Sequence, residues 1–257
     1  MISGVSPDLP HTHHLPPAKE RGLRLFRWPV RLFLRSWWRV HLHGREHVPP
    51  HGPVILAANH LGLLDGPALI AFTSRLTFAM VKHELFQGFG GRLLSYVGQI
   101  PVNRRELDLR AIGRAVQVLR ADKVLAVFPE GRRTGGEVAT ARGGAAYLAL
   151  VTGAPVVPVA ILGTREPGQS DNQLPRRGSP LHIVYGPPVQ LPQLPWPRRQ
   201  QVVAEWTERL RAQLAEHVVA AQALTGLPLP GPPKAKPHLA RRQASPSQAG
   251  PPGTTAS

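Results

Sequence analysis

Cysteine is absent from all 257 residues. The chain therefore has no disulfide framework, no Cys-ligated zinc or iron–sulfur centre, and no thiolate nucleophile. Acidic residues are scarce, 15 Asp and Glu against 31 Lys and Arg, and 26 of those bases are arginine. A net charge of +16 leaves the fold open but favours anionic partners: a phospholipid surface, nucleic acid or a phosphorylated substrate. No G-x-S-x-G elbow occurs, so a serine acyl-enzyme has no support. Walker A and Rossmann glycine fingerprints are also missing, because Gly88-Phe89-Gly90-Gly91 has the wrong spacing. Residues 1–17 hold no apolar run of signal-peptide length. One uncharged run, 143–164, approaches the length of a membrane span. Gly153, Pro155 and Pro158 inside it predict a helix followed by a strand instead.

Hydrophobic residues make up 42% of the chain, enough to bury a core over most of its length. Both ends read as tails. Residues 1–19 are rich in Pro and His, and 227–257 repeat Pro, Gly, Ser and Ala, which bury too little to offset their ordering entropy. His11, His13 and His14 need no metal role there. Between the tails, 20–43 carries arginines at 21, 24, 27, 31, 35 and 39, a single face if helical. Pro29 predicts a kink, or a helix starting near Trp28. Two readings stand for this segment. One is a solvated face on a helix packed against the domain. The other, favoured by interleaved Trp28, Trp37 and Trp38, is a membrane-interface helix ahead of a domain over 44–226.

Strands and helices then alternate. Strands are expected at 54–58, 77–82, 124–128, 156–161 and 181–185. Helices are expected at 66–74, 106–121, 145–152 and 198–224. This alternation predicts an α/β domain with a mixed, largely parallel sheet flanked by helices.

Chemistry-bearing residues cluster where strands end, the edge at which open α/β sheets bind ligands. Asn59-His60-Leu61-Gly62-Leu63-Leu64-Asp65 follows the first of these strands. A His and an Asp five apart meet if the chain turns, and the carboxylate then orients the imidazole as a base. They also suit an ordinary loop His and a helix-capping Asp. Phe128-Pro129-Glu130-Gly131-Arg132-Arg133-Thr134 repeats the placement with guanidiniums suited to phosphate, or with a local Glu–Arg pair in a surface turn. Gln99 to Arg105 adds two more arginines before a helix, with Asn103 as its expected cap.

Taken in order, these segments resemble the 1-acylglycerol-3-phosphate (lysophosphatidic acid) acyltransferase family. Asn59-His60 with Asp65 matches its N-H-x4-D block. Gln99 to Arg104 matches the second block, with Lys82, Glu84, Leu85, Phe86 and Gly98 before it. Phe128-Pro129-Glu130-Gly131 with Arg133 matches the third, and Val156-Val157-Pro158-Val159 the fourth. The resemblance spans about 48–188. It implies His60 as general base and Asp65 as its orienter, with Arg104, Glu130, Gly131 and Arg133 at the acceptor's phosphate end. It also implies an acyl donor that is acyl-CoA or acyl carrier protein, no covalent acyl-enzyme, and no metal or other cofactor. The implied role is phospholipid biosynthesis by a peripheral enzyme on the cytoplasmic face of the cell membrane, acting on a lysophospholipid acceptor.

Three positions depart from the pattern. Gly62 stands where Ser or Thr is common, Asn103 where Asp is, and Arg132 where Thr is. The last two lie where the acceptor head would be read, so another lipid acceptor, a lyso-ornithine lipid or a glycolipid, remains an alternative. A non-enzymatic lipid- or nucleic-acid-binding protein is a more distant one. No nucleic-acid partner is expected, since no nucleic-acid motif accompanies the charge.

Overall fold

The computed structural model describes residues 10–12, 15, 20–104 and 106–234. In chain order the elements are α1 (Glu20–Trp37), β1 (Arg39–His43), β2 (Val54–Ala58), α2 (Asp65–Phe72), β3 (Thr77–Lys82), α3 (Gly88–Tyr96) and β4 (Ile100–Val102). Then come α4 (Leu109–Arg120), β5 (Val124–Val127), α5 (Gly144–Thr152), β6 (Val156–Leu162), β7 (Pro180–Tyr185) and α6 (Gln200–Thr225). The seven strands form one sheet in the order β1-β7-β6-β2-β5-β3-β4. All neighbours are parallel except β6 and β7. The fold is the mixed, largely parallel, helix-flanked sheet that the alternation predicts.

Helices on both faces explain why β2, β5 and β6 are unbroken apolar runs, buried at every residue. Their side chains divide by period two. Ile55, Ala57, Leu125 and Val127 enter the core beneath α4 and α5. Val54, Leu56, Ala58 and Ala126 enter the core beneath α1 and α2. The uncharged run at 143–164 is α5, the left-handed turn at Gly153 and central strand β6. Among the described residues no helix is long and apolar enough to cross a membrane.

Short elements α3 and β4 are absent from the sequence expectation, several ends shift by one or two residues, and three larger differences bear on the site. The helical reading of 20–43 stops at Trp37. Trp38 is buried and its Nε1 donates to the Pro175 carbonyl, 3.2 Å away. The chain then extends as β1 beside β7, with Leu42 packed toward one core and His41 and His43 on the opposite face. Residues 20–43 therefore belong to the domain: Leu23 and Leu34 lie in its cores, and α1 runs straight through exposed Pro29. Second, α4 starts at Leu109 because Asp108, not Asn103, is its cap. The Asp108 carboxylate accepts from Ala111 N and Asn103 N, each at 2.9 Å.

Third, part of each expected tail packs. Pro10 and Leu15 carbonyls accept from Arg120 and Gln117. Leu227 and Leu229 cover a core patch under α6, and Lys234 N donates to Gln169 O. The rest of both tails, with His13 and His14, lies outside the described residues.

On the outer face of β1 and β7, His41 stacks on His182 at 4.6 Å between ring centroids. His43 Nε2 lies 3.1 Å from His182 Nδ1. Burial, then the neighbouring His41 and His43, pull the His182 pKa from 6.5 to about 4. The folded state thus holds His182 neutral while the unfolded chain protonates. The stability it contributes is complete above pH 6.5 and is lost as pH falls from there through about 4. Urea melts across that range should show this loss, and His182→Gln should flatten the profile. An unchanged slope in His182→Gln would place the acid sensitivity elsewhere.

Candidate active site

Strands β6, β2 and β5 are neighbours and point the same way, so the loops leaving their carboxyl ends converge. The β2 loop delivers His60 and Asp65, the β5 loop delivers residues 128–134, and the β6 loop delivers Thr164 and Arg165.

The His60 Nδ1 and Asp65 Oδ2 atoms are 2.7 Å apart. Asp65 is fully buried at the first turn of α2. Its Oδ2 also accepts from the backbone N–H groups of Leu61 (2.6 Å) and Gly62 (2.9 Å), and its Oδ1 from the Thr164 hydroxyl. With the carboxylate accepting on Nδ1, the proton sits there and Nε2 keeps its lone pair. The His60 ring stacks on Phe128 with centroids 4.2 Å apart, and its side chain is 12% exposed. Among the described residues nothing hydrogen-bonds Nε2.

Glu130 braces the two loops. Its Oε2 accepts from His60 N at 2.7 Å and its Oε1 from the Thr134 hydroxyl, while Thr134 N donates to His60 O at 2.9 Å. Burial pushes the Glu130 pKa up, against the pull of the Thr134 and His60 donors. Both carboxylate oxygens are engaged within the protein, so the geometry gives Glu130 a loop-bracing position. Gly131 has φ +68, and a Cβ there would stand 2.5 Å from Arg142 Nε, so the turn requires glycine.

Arg133 Nη1 donates to Asp171 O (3.0 Å) and Asn172 Oδ1 (2.6 Å), which aims the guanidinium; its Nε is buried with no partner. Arg104 Nη1 donates to Gly131 O at 2.5 Å. Burial, then neighbouring Arg142, lowers the Arg104 pKa. Arg133 lies within the same charge cluster. Arg132 is exposed, and Arg105 lies outside the described residues.

His60, Phe128 and Arg133 line one side of a pocket of about 420 Å³. Its other walls are mostly apolar, with Leu23, Phe26 and Val30 from α1, Ile70 from α2, and Met80 and Leu93 beyond; Arg27 and Gln99 also line it. A larger cleft of about 890 Å³ beside the α4 N-terminus includes Asn103 and Glu106 but not His60. The structure thus brings His60, Asp65, Glu130 and Arg133 together. It sets Arg104 behind Gly131.

Thr164 and Arg165 were not picked out by the sequence reading, which stopped at Val159. Arg165 is buried and charged. It donates to Leu61 O (2.9 Å), Thr134 O (2.7 Å) and Gly231 O (2.5 Å), so one guanidinium ties the His60 loop, the Glu130 loop and the chain after α6. Asn59 locks the β2 end to Ile161 through two hydrogen bonds. The rule that ligands gather at strand ends applies as well to Gly163-Thr164-Arg165 and would have found them.

A family model described as Acyltransferase matches residues 39–162. The chain is 31% identical over 131 residues to a 1-acyl-sn-glycerol-3-phosphate acyltransferase of Borreliella burgdorferi, covering 49% of this chain and 52% of that protein. It is 26% identical to the Bacillus subtilis protein of that name, covering 69% and 87%. Residues 39–162 are thus similar to an acyltransferase domain, and the two relatives carry the likeness over part of the chain. The chain spans about half the length of the Borreliella relative. A solved 1-acyl-sn-glycerophosphate (LPA) acyltransferase, PlsC, from Thermotoga maritima shares the fold, with a TM-score of 0.56, 22% identity, and 78% and 79% of the two chains covered. The first and third blocks thus coincide with two of the three loops that meet around His60; the second lies at β4 and reaches them through the Arg104–Gly131 hydrogen bond, and the fourth lies in β6.

Arg165 supplies the test of this framework. Arg165→Met removes a donor from four carbonyls, those of Leu61, Thr134, Gln169 and Gly231, and should lower unfolding free energy by about 3 kcal/mol in urea titration. Arg165→Lys should not restore it, because lysine lacks the planar fork. A loss below about 0.5 kcal/mol, the range of an ordinary surface change, would remove Arg165 from the framework.

Proposed function

We propose that this protein transfers a fatty acyl group from an acyl thioester to the free hydroxyl of a lysophospholipid, with 1-acylglycerol-3-phosphate as acceptor and phosphatidic acid as product. The observation that carries this is the oriented His60–Asp65 pair at the mouth of an apolar pocket, with the partnerless Arg133 Nε in the same wall. The named relatives support the same reading.

In this reading His60 Nε2 accepts the acceptor's hydroxyl proton as the oxygen attacks the thioester carbonyl. Asp65 holds the ring and stabilises the imidazolium. The tetrahedral intermediate collapses with cleavage of the C–S bond, and the imidazolium returns its proton to the leaving thiolate. No covalent acyl-enzyme forms. Arg133, with Arg104 behind it, takes the acceptor's phosphate by charge-assisted hydrogen bonds. An acyl chain occupies the apolar pocket. The donor is acyl-CoA or acyl carrier protein, and the reaction serves phospholipid biosynthesis.

Membrane access falls to α1. Its outer side exposes Leu25, Trp28, Leu32 and Phe33, with Arg21, Arg24 and Arg35 beside them. Such a face suits the headgroup boundary of a bilayer and supports a peripheral location, which in this reading is the cytoplasmic face of the cell membrane. The apolar pocket opens against the inner side of the same helix.

Purified protein with acyl-CoA and a panel of lysolipids, read by thiol release and product mass, tests the chemistry. His60→Ala should lower turnover by about 10²–10⁴-fold with the fold intact. Arg133→Ala should raise acceptor KM by roughly ten- to hundredfold and leave donor KM nearly unchanged. Wild-type turnover in His60→Ala would sink the base assignment. Preference for a lyso-ornithine lipid or glycolipid would reassign the acceptor.

Because α1 carries core residues, its membrane role is tested by point changes. Trp28→Ser with Leu32→Ser should weaken binding to anionic vesicles while the thermal melt stays put. Unaltered pelleting by that double variant would end the interfacial reading.

A further inference from the structure

At the far end of α2 from His60, four arginines converge without a counter-charge. Arg27 Nε (3.0 Å), Arg31 Nε (3.1 Å) and Arg31 Nη2 (2.8 Å) all donate to one oxygen, the Ala71 carbonyl. The Arg31 and Arg35 guanidinium carbons stand 5.8 and 5.5 Å from the Phe72 ring centroid. Arg45, on the turn after β1, joins them from the other side, and its Nε is buried without a hydrogen-bond partner. Among the described residues none of the four makes a salt bridge. The charged and titratable groups that act on Arg27 and Arg31 are Arg35, Arg45, each other and Tyr185, a buried phenol whose hydroxyl pairs with Thr73 and whose pKa burial raises to about 12; Glu46 and His47 follow Arg45 in its turn. Burial and the mutual repulsion of the cluster pull the Arg27 pKa down to about 10.

A helix C-terminus attracts cations, and Ala71 O accounts for part of this gathering. It does not account for four. One carbonyl carries a fraction of a charge, while like charges held together in a partly desolvated site repel each other. Stable packing of several guanidiniums calls for an anion with enough oxygens to meet them. The planar forks of arginine fit a phosphate.

We propose that Arg27, Arg31, Arg35 and Arg45 form a second anion site at the α2 end far from His60, with Arg27 shared with the wall of the apolar pocket, that takes the phosphate group of an anionic lipid headgroup. Roughly 9 Å of α2 separates Asp65 from Ala71, so one acceptor phosphate does not serve both sites. The lipid source follows from the setting. Arg27, Arg31 and Arg35 lie on the helix whose outer face exposes Trp28 and Leu32. A headgroup phosphate bound there would fix how deeply and at what angle α1 meets the bilayer. The site thus deepens the interfacial reading of α1, and rests on it only for the origin of the phosphate.

The full-length chain is tested with vesicles of phosphatidylcholine, with and without phosphatidic acid, and separately with inorganic phosphate in thermal melts. Arg45→Gln should weaken binding to the phosphatidic acid vesicles by roughly ten- to hundredfold. Arg209→Gln removes the same charge from exposed α6 and should have little effect. Arg35→Gln repeats the test at a side chain with no hydrogen bond to lose, so a folding defect cannot imitate the result. If phosphate raises the melting temperature of the wild type but not of Arg45→Gln, the site takes the phosphate oxyanion free in solution as well. Equal weakening in Arg45→Gln and Arg209→Gln would reduce the attraction to overall charge and overturn the proposal. So would unweakened vesicle binding in both Arg45→Gln and Arg35→Gln. The readout is binding, so failure here leaves the acyltransferase reading standing. Failure of the Trp28 and Leu32 variants leaves this site standing for free phosphate.

Discussion

The Asp65 carboxylate is withdrawn wholly from solvent, and it survives there because four donors meet its two oxygens. Two are backbone N–H groups of its own loop, one is the Thr164 hydroxyl from the neighbouring strand end, and the last is the His60 ring. A buried carboxylate with any of these missing bears a desolvation penalty that the rest must offset. The arrangement therefore fixes several things together. It curls the loop from Leu61 to Leu64 and starts α2 at Asp65. It also sets the distance between the β2 and β6 loops and holds His60 Nδ1 as a donor. The orientation of the His60 ring and the local fold are one hydrogen-bond set.

Arginine serves the molecule in two distinct ways. Arg165 and Arg75 act inside the structure as forks that collect backbone carbonyls. Arg75 takes those of Pro49, Gly52 and Asp122. Arg104 and Arg133 lie against the site loop, with backbone and amide partners that aim them; Arg133 also forms a long ion pair with Asp171, 3.8 Å from Nη1 to Oδ2. Lysine would serve neither purpose well, since a point charge cannot bridge several carbonyls in one plane. That is a physical account of why 26 of the 31 bases are arginine.

Much of this was legible in the sequence. Buried strands announced themselves as apolar runs ending in turn residues, and β2 and β3 fall at the expected residues. The His60–Asp65 pairing was readable because both groups lie within one turn of chain. Arg165 was not, because its meaning comes from Leu61, Thr134 and Gly231, which are 31 to 104 residues away. Glu130 was read through its charge as part of a phosphate site. Its partners, an N–H and a hydroxyl, became visible only when the β2 and β5 loops were seen side by side. The break at Trp37 escaped because Trp, Arg, Val, His and Leu satisfy a helical period about as well as a strand, and β7, the partner that decides it, lies some 140 residues on.

The chain after α6 shows where composition misleads. Five of the eight residues from Leu227 to Lys234 are proline or glycine, and such a sequence buries little surface of its own. Proline also lowers the entropy of the unfolded segment, so few contacts suffice to seat it. Leu229 lies against Gly136, where its Cδ2 would stand 2.9 Å from an added Cβ, and Gly231 offers its carbonyl to Arg165. The first contact ends on the loop that carries Glu130, and the second on Arg165, which in turn holds the His60 and Glu130 loops. A segment that reads as a tail thus closes the outer side of the site, and the Arg165 fork lacks one acceptor without it. The functional unit accordingly extends from Glu20 to Lys234, with α1 forming one wall of the pocket and the post-α6 segment bracing the loops opposite.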